Sequence, residues 1–491
     1  MNDSNEQLIR DVVERVLGQV KSGWGGRVPP QAGSSAAPPL TTQAALAPRG
    51  GNRFGQFTDV SEAVAAAGAA QKQLMKRSLA QRKIACDLIR RICIDQADRL
   101  GQMEFDETKI GRLEHKSDKL VVAGRATLGI EFLRSEVFSG DHGLTVQEFA
   151  PFGVIGAVTP VTHSLPTTAN NSIAMISAGN AVVFNPHPGG KNIAAYGVKL
   201  FNQAIYEKIG IDNLIAVMVE PTLESAKELF GHPGVNLLAI TGGPGVVSAA
   251  LHSGKRAICA GPGNPPVVVD ASADIENAAR CIIEGAAYDN NLLCLAEKEI
   301  FVEAAVYEKF TAAMRSLTAF ELSAQQMNAL ADKCLEVPAK GHAHARREWV
   351  GKGAVELGAA IGVNVPRGTE LLFGPTSAEH PWVRVEQMMS AIPVVKAQDF
   401  EQAVVMAKQA EHGFKHTSIL HSRLVDHMTH MGKEMDTALF IKNGPSVAGN
   451  GGGGEGYGSY SIACSTGEGI CTPLTYTRTR RCTMVDNLRI I

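Results

Sequence analysis

From Val154 to Thr241 the chain alternates short apolar, β-branched runs with longer amphipathic stretches, and few folds accept that pattern. Val154-Ile155-Gly156-Ala157-Val158-Thr159-Pro160, Ala181-Val182-Val183-Phe184, Ile215 to Val219 and Leu237 to Thr241 read as strands. Thr168 to Ser177, Asn192 to Lys208 and Leu223 to Phe230 read as the helices between them. A helix after each strand returns the chain to the same edge, so the strands run parallel in a doubly wound α/β sheet. Val146 to Phe149 reads as a further strand ahead of this unit. Helical patterns precede it at Val60 to Lys76 and Ala80 to Leu100, and Val267-Val268-Val269-Asp270 opens a second α/β region. No internal repeat is apparent.

At 491 residues the chain exceeds a single core, and it divides by pattern into five pieces. These are an amphipathic helix at 1–20, a linker at 21–52, α/β domains at 53–257 and 258–444, and a C-terminal segment at 445–491. In the first piece Ser4 is placed to cap, with Gln7 as a weak capping box. Leu8, Ile9, Val12, Val13, Val16, Leu17 and Val20 then share one face at helical spacing. The linker carries Gly25-Gly26, Pro29-Pro30, Ser34-Ser35, Pro38-Pro39 and Gly50-Gly51, a flexible composition. A helix on such a tether cannot bury its stripe locally, so it docks elsewhere; packing on its own oligomer is the competing reading. It lacks the basic start and uninterrupted apolar core of a secretory signal. A net charge of −2 gives no electrostatic reason to expect nucleic acid or anionic membrane as a partner. No apolar run reaches the ~18–20 residues of a membrane span. Nine scattered cysteines without a CxxC pair argue against a disulfide framework or a zinc site, and for a reducing compartment.

Asp289-Asn290-Asn291-Leu292-Leu293-Cys294 sets a cysteine in apolar surroundings after two amides. A thiolate there could attack an aldehyde, release a hydride to a nicotinamide and remain as a thioester. The bland alternative is a buried core thiol, the reading given to Cys86, Cys93 and Cys281. Gly242-Gly243-Pro244-Gly245 follows a predicted strand and turns toward a helix start, a place for pyrophosphate. The run Gly449 to Gly454 matches GxGxxG, but no first strand of a βαβ unit precedes it. It is read instead as a flexible loop near the mouth of the site.

Further segments carry a resemblance: Thr159-Pro160-Val161-Thr162, Asn185-Pro186-His187-Pro188, Thr241-Gly242-Gly243, Gly261-Pro262-Gly263-Asn264-Pro265-Pro266, Asn290 to Cys294, Glu386-Gln387-Met388-Met389 and Ser465-Thr466-Gly467-Glu468-Gly469. Together they resemble the aldehyde dehydrogenase superfamily, and more narrowly the CoA-acylating aldehyde dehydrogenases of bacterial microcompartments, which act on propionaldehyde or acetaldehyde. The last segment is specific to the acylating branch. The resemblance implies a Rossmann-type NAD/CoA-binding domain, an α/β catalytic domain and a small oligomerisation element. Residues near 130–151 and Thr475 to Met484 would be subunit-bridging strands, giving a homodimer or homotetramer. The N-terminal helix and linker resemble encapsulation peptides, which implies a shell or cargo partner and a microcompartment lumen.

On this resemblance Cys294 is the nucleophile, and its backbone N–H stabilises the oxyanion. Thr162 stands where most members have a second, asparagine donor, so the Thr162 hydroxyl, Asn170 or Asn171 would take that role. Thr159, Pro160, Asn185, His187, Pro188, Gly242, Gly243 and Glu386 would form the cofactor site; Asn185 stands where the family has a lysine. No metal is implied. Hydrolytic members carry a water-activating glutamate where this chain has Cys259, so deacylation falls to an external thiol, coenzyme A. Propionaldehyde is the expected substrate. The alternatives are acetaldehyde as the main substrate, a non-acylating enzyme releasing acid, and a shell-associated scaffold with a vestigial site.

Overall fold

The computed structural model describes residues 54–338 and 343–490. The expected helix at 1–20 and linker at 21–52 lie outside the described residues. Two parallel sheets, one three-stranded antiparallel sheet and two two-stranded antiparallel ladders make up the strands of the described residues.

The first sheet has six parallel strands in the spatial order Gln56–Phe57, Ile215–Met218, Ala181–Pro186, Val154–Thr159, Leu237–Thr241, Ala257–Ala260. The chain leaves Val154–Thr159 toward one edge and later returns to its other side at Leu237–Thr241. That reversal opens a crevice at the carboxyl ends of these strands. Between Val154–Thr159 and Ala181–Pro186 runs the helix Ser164–Ser177, buried along its whole length and apolar or small nearly all round. It begins one turn earlier than the sequence predicts, because Pro166 sits in the first turn, where a missing N–H costs nothing. The predicted helix Ala80 to Leu100 is two helices, Leu79–Asp95 and Ala97–Thr108, divided at Gln96 (φ −115°, ψ 18°). The buried stripe Ile89, Cys93, Ala97, Leu100 keeps helical spacing through the break, so periodicity alone merges them.

The strand Ala257–Ala260 completes the first sheet, so the chain crosses to the second sheet between Ala260 and Pro266, a few residues after the expected division at 257/258. The second sheet has seven parallel strands in the order Ala319–Glu321, Leu371–Thr376, Ala391–Ala397, Glu299–Glu303, Pro266–Val269, Thr417–His421, Leu439–Lys442. Its central strands read as continuous apolar runs because both faces are covered, by one core around Ile282, Phe310 and Ile419 and another around Phe301, Phe400 and Leu420. Glu136–Gly140, Gly143–Pro151 and Thr477–Val485 form the antiparallel sheet, with Thr477 opposite Pro151 and Val485 opposite Gly143. Val137, Phe138 and Val485 on it are exposed.

Candidate active site

A cleft of about 1160 Å³ opens at the carboxyl ends of the first sheet's strands and is closed on its far side by the second α/β region. Thr159 to His163, Asn185 to Pro188, Thr241 to Pro244 and Ala260 to Pro262 supply the strand-end wall. Leu292 and Cys294, Arg384 to Glu386, His412, Phe414 and Tyr460 face it. The cleft thus brings together Cys294, Thr162, Thr159, Pro160, Asn185, His187, Pro188, Gly242, Gly243 and Glu386.

Cys294 follows the helix Ile275–Ala287, which Asp274 caps. Between them Asp289, Asn290 and Asn291 all take left-handed φ, at 48°, 54° and 66°. Each such non-glycine residue costs on the order of 1–3 kcal/mol unless its surroundings hold it, and Asp and Asn tolerate it best. Here every side chain of the run is held. Asn290 donates to the carbonyls of Gly111 and Gly351 and accepts from Arg112 Nε (2.7 Å) and Ser390 Oγ (3.1 Å). Asn291 donates to the Ala286 and Glu297 carbonyls, and its side-chain oxygen accepts from Lys298 Nζ. Lys298, fully buried, also donates to the carbonyls of Asn291 and Leu293, directly ahead of the cysteine. The two amides before Cys294 are therefore a platform for it.

Asp289 joins this platform to the opposite wall. Its carboxylate accepts from Lys116 Nζ (3.1 Å), from Lys119 Nζ and from the Arg112 N–H (2.8 Å). Both lysines also donate to the Thr162 carbonyl, at 3.1 and 2.9 Å. All three charged side chains are 0% exposed as residues. Burial opposes the Asp289 charge, but Lys119 and Lys116 hold its carboxyl below the usual range. Burial pulls Lys119 down to about 8 against the attraction of Asp289. Glu104, behind the lysines, is pushed up by burial and accepts from the Ser164 N–H (3.0 Å).

Around Cys294 the electrostatics favour the thiol. Burial, then the Glu386 carboxylate, pushes it up to about 12, with buried Lys298 opposing. Glu386 is itself raised to about 7 by burial, again opposed by Lys298. Cys86, Cys93 and Cys281 are buried core residues, whereas Cys294 is half-buried and lines the cleft. Thr162 Oγ1 lies 2.9 Å from Nδ1 of His163, an imidazole held neutral by burial and by the two lysines.

The strand-end wall has the features a dinucleotide needs. Thr159 Oγ1 is buried with no hydrogen-bond partner yet belongs to the cleft wall. Gly243 and Gly245 face open space where a Cβ would stand, at the start of the helix Pro244–Leu251. Pro244 at its first position leaves one fewer N–H there. Asn185 accepts from Ser225 Oγ (2.6 Å) and donates to the Thr222 carbonyl (3.3 Å), fixing the start of the helix Leu223–Gly231. His187 Nδ1 accepts from the Gly189 N–H (3.0 Å), and burial, aided by Arg347, lowers its pKa, so the neutral ring presents Nε2–H.

Two expectations are corrected. Asn170 is not in the cleft wall: its amide donates to Thr127 Oγ1 (2.8 Å) and accepts from Ser459 Oγ and the Tyr460 N–H, pinning the buried helix to the C-terminal segment. The glycines 449–454 follow the strand Leu439–Lys442 and the turn Ser446–Asn450 and do not line the cleft; Tyr460, Ile462 and Ser465 do. Sequence reasoning did not foresee Lys116, Lys119, Lys298, His412 or Phe414. Lys116 and Lys119 gave no signal, since their shared partner Asp289 lies far along the chain.

A parallel crevice with a half-buried cysteine facing it is the arrangement of an aldehyde dehydrogenase. The aldehyde dehydrogenase family model matches residues 51–459, and the chain belongs to that family. It is 41% identical over 489 residues to the acetylating acetaldehyde dehydrogenase EutE of Salmonella typhimurium, covering 99% of this chain and 100% of that protein. The propionaldehyde dehydrogenase of Rhodopseudomonas palustris, solved with bound CoA and an acylated cysteine, superposes with a TM-score of 0.86 at 40% identity, over 89% of this chain and 100% of that one. The propionaldehyde dehydrogenase from the fucose utilisation microcompartment of Clostridium phytofermentans gives the same TM-score, identity and coverage.

Proposed function

We infer that this chain oxidises a short-chain aldehyde to its acyl-CoA thioester, with NAD as hydride acceptor and Cys294 as nucleophile. The observation that carries the reading is a cysteine held on a locked, strained platform in the wall of a crevice at the carboxyl ends of parallel strands, with a fully buried cysteine, Cys259, where a hydrolytic enzyme needs a carboxylate. Bound NAD supplies a hydride acceptor; Thr159, Gly242, Gly243, Asn185 and His187 would hold it.

The resting thiol must lose its proton before it attacks. Glu386, poised near 7 and facing the thiol, is suited to carry that proton. Attack by Sγ makes a thiohemiacetal whose oxyanion needs preorganised donors. The Cys294 N–H is one. The Thr162 hydroxyl is the other: His163 as its Nδ1–H tautomer donates to Thr162 Oγ1 and leaves the hydroxyl proton free. Loss of hydride leaves an acyl group on Cys294. With no carboxylate at position 259 to activate water, the thiol of CoA gives up its proton and takes the acyl group, and Sγ leaves as the free thiol. Without CoA, the wild type should stop after about one NADH per site; continued stoichiometric release of free acid would overturn this reading.

Propionaldehyde is the substrate we favour, on the likeness to two propionaldehyde dehydrogenases. Acetaldehyde is the competing reading, on the name of the acetylating relative. Side-by-side kcat/KM for the two aldehydes decides between them. We also place the chain in a microcompartment lumen, as a dimer or tetramer built through the antiparallel sheet and tethered to shell or cargo by residues 1–20. An open sheet edge and exposed Val137, Phe138 and Val485 support the assembly. Removing residues 1–20 should leave turnover intact and abolish co-purification with shells; packaging that persists would refute the tether.

A further inference from the structure

The missing carboxylate at position 259 is not the whole barrier to water. Cys259 is 0% exposed and packs in the first sheet's core, whereas its neighbours Ala260 and Gly261 line the cleft. The segment 465–469 lies directly against this strand end. Ser465, itself in the cleft wall, sets its Oγ 2.6 Å from where a Gly261 Cβ would stand. Thr466 Oγ1 accepts the Cys259 N–H at 3.0 Å and donates to the Glu468 carboxylate. The segment is fixed in turn by the pairing of Ile462–Ala463 with Gly469–Ile470 and by the Gly467 N–H to Ala463 carbonyl bond (3.1 Å). Glu468 is not in the cleft wall, so it is no substitute base.

Resting on the CoA-acylating reading above, we propose that the 465–469 segment is a specificity element: Thr466 and Glu468 seal position 259 and keep water-driven deacylation shut. Two physical effects do this. The seal leaves no path from residue 259 to the thioester. Glu468 also sets a like charge beside that position, and already raises the Cys259 thiol, after burial, to about 11. A carboxylate introduced there would be pushed up in the same way and stay protonated, unable to act as a base. Hydrolysis needs that base to take a proton from water as the water oxygen bonds the acyl carbon and the C–S bond to Cys294 breaks, giving acid and free thiol.

The test compares full-length wild type, Cys259→Glu, Glu468→Ala and the double variant, with aldehyde and NAD but no CoA, scoring NADH and free acid beyond the first turnover. Both single variants should stall like the wild type. The double should continue, at least about tenfold faster than Cys259→Glu, yet below the 10²–10⁴-fold of a native general base. CoA-dependent turnover in the same preparations shows that each variant is folded. Cys259→Glu with Glu468→Gln, which keeps side-chain volume, is the alternative pair and should show the same gain. Should neither pair fold, Glu468→Ala alone decides, by exposing Cys259 to a small alkylating reagent at least about tenfold faster than in the wild type. The proposal is overturned if Cys259→Glu alone matches the double, if a folded double gains nothing, or if Cys259 labelling does not change. Wild-type turnover to acid without CoA would instead sink the acylating reading, a distinct result.

Discussion

The two walls of the cleft are built by different means. The strand-end wall is mostly backbone: turns after parallel strands, prolines that fix φ, and glycines that leave room, with few charges. The nucleophile wall is held by side chains. Three left-handed residues, three buried ammonium groups and one buried carboxylate fix a single loop. The contrast teaches that a ligand-binding wall can tolerate change in its side chains, whereas a loop that aims a reacting atom is over-determined and fragile.

The largest effect should follow from breaking the ion cluster. Asp289→Ala leaves Lys116 and Lys119 buried without their counter-ion and should cost about 3–5 kcal/mol, read by chemical denaturation. A loss under about 1 kcal/mol, the range of an exposed pair, would show that the platform does not depend on it.

An intermediate effect separates charge from position. Glu386→Gln removes the carboxylate that raises the Cys294 thiol. Alkylation of Cys294 by iodoacetamide should then be faster above pH about 7, where Glu386 is ionised, and should rise with pH from 6 to 10 without a plateau in both proteins. Because the thiolate is the reacting form, a lower thiol pKa can only raise its fraction below that pKa; slower alkylation in the variant would contradict the assignment. NAD-linked turnover should fall in the same variant.

The smallest effect belongs to the backbone wall. His187→Ala should raise the KM for NAD a few-fold, about 1 kcal/mol or less, and leave kcat and the alkylation rate unchanged. A fall in kcat equal to that in kcat/KM would place His187 in the chemistry.

The same contrast explains what the sequence disclosed. Strands such as Val182 and Val183 are buried on both faces and announce themselves by composition, and the turn residues after them mark the backbone wall. The division at Gln96 was invisible because a continuous stripe runs through it. Asn170 was misplaced because an amide near the right distance along the chain lies on a helix buried on every side, and spacing does not say which side faces the cleft. Lys116 and Lys119 sit three residues apart among charged neighbours, and nothing local marks them as buried; their burial depends on Asp289, which only the tertiary fold brings to them.

The central claim is that Cys294 carries the acyl group and that CoA removes it. Mass spectrometry of enzyme incubated with propionaldehyde and NAD, digested before and after addition of CoA, tests it directly. One propionyl adduct on the peptide containing Cys294, lost on adding CoA with matching formation of propionyl-CoA, is the predicted result. An adduct on another residue, or its release as free acid before CoA is added, would contradict it.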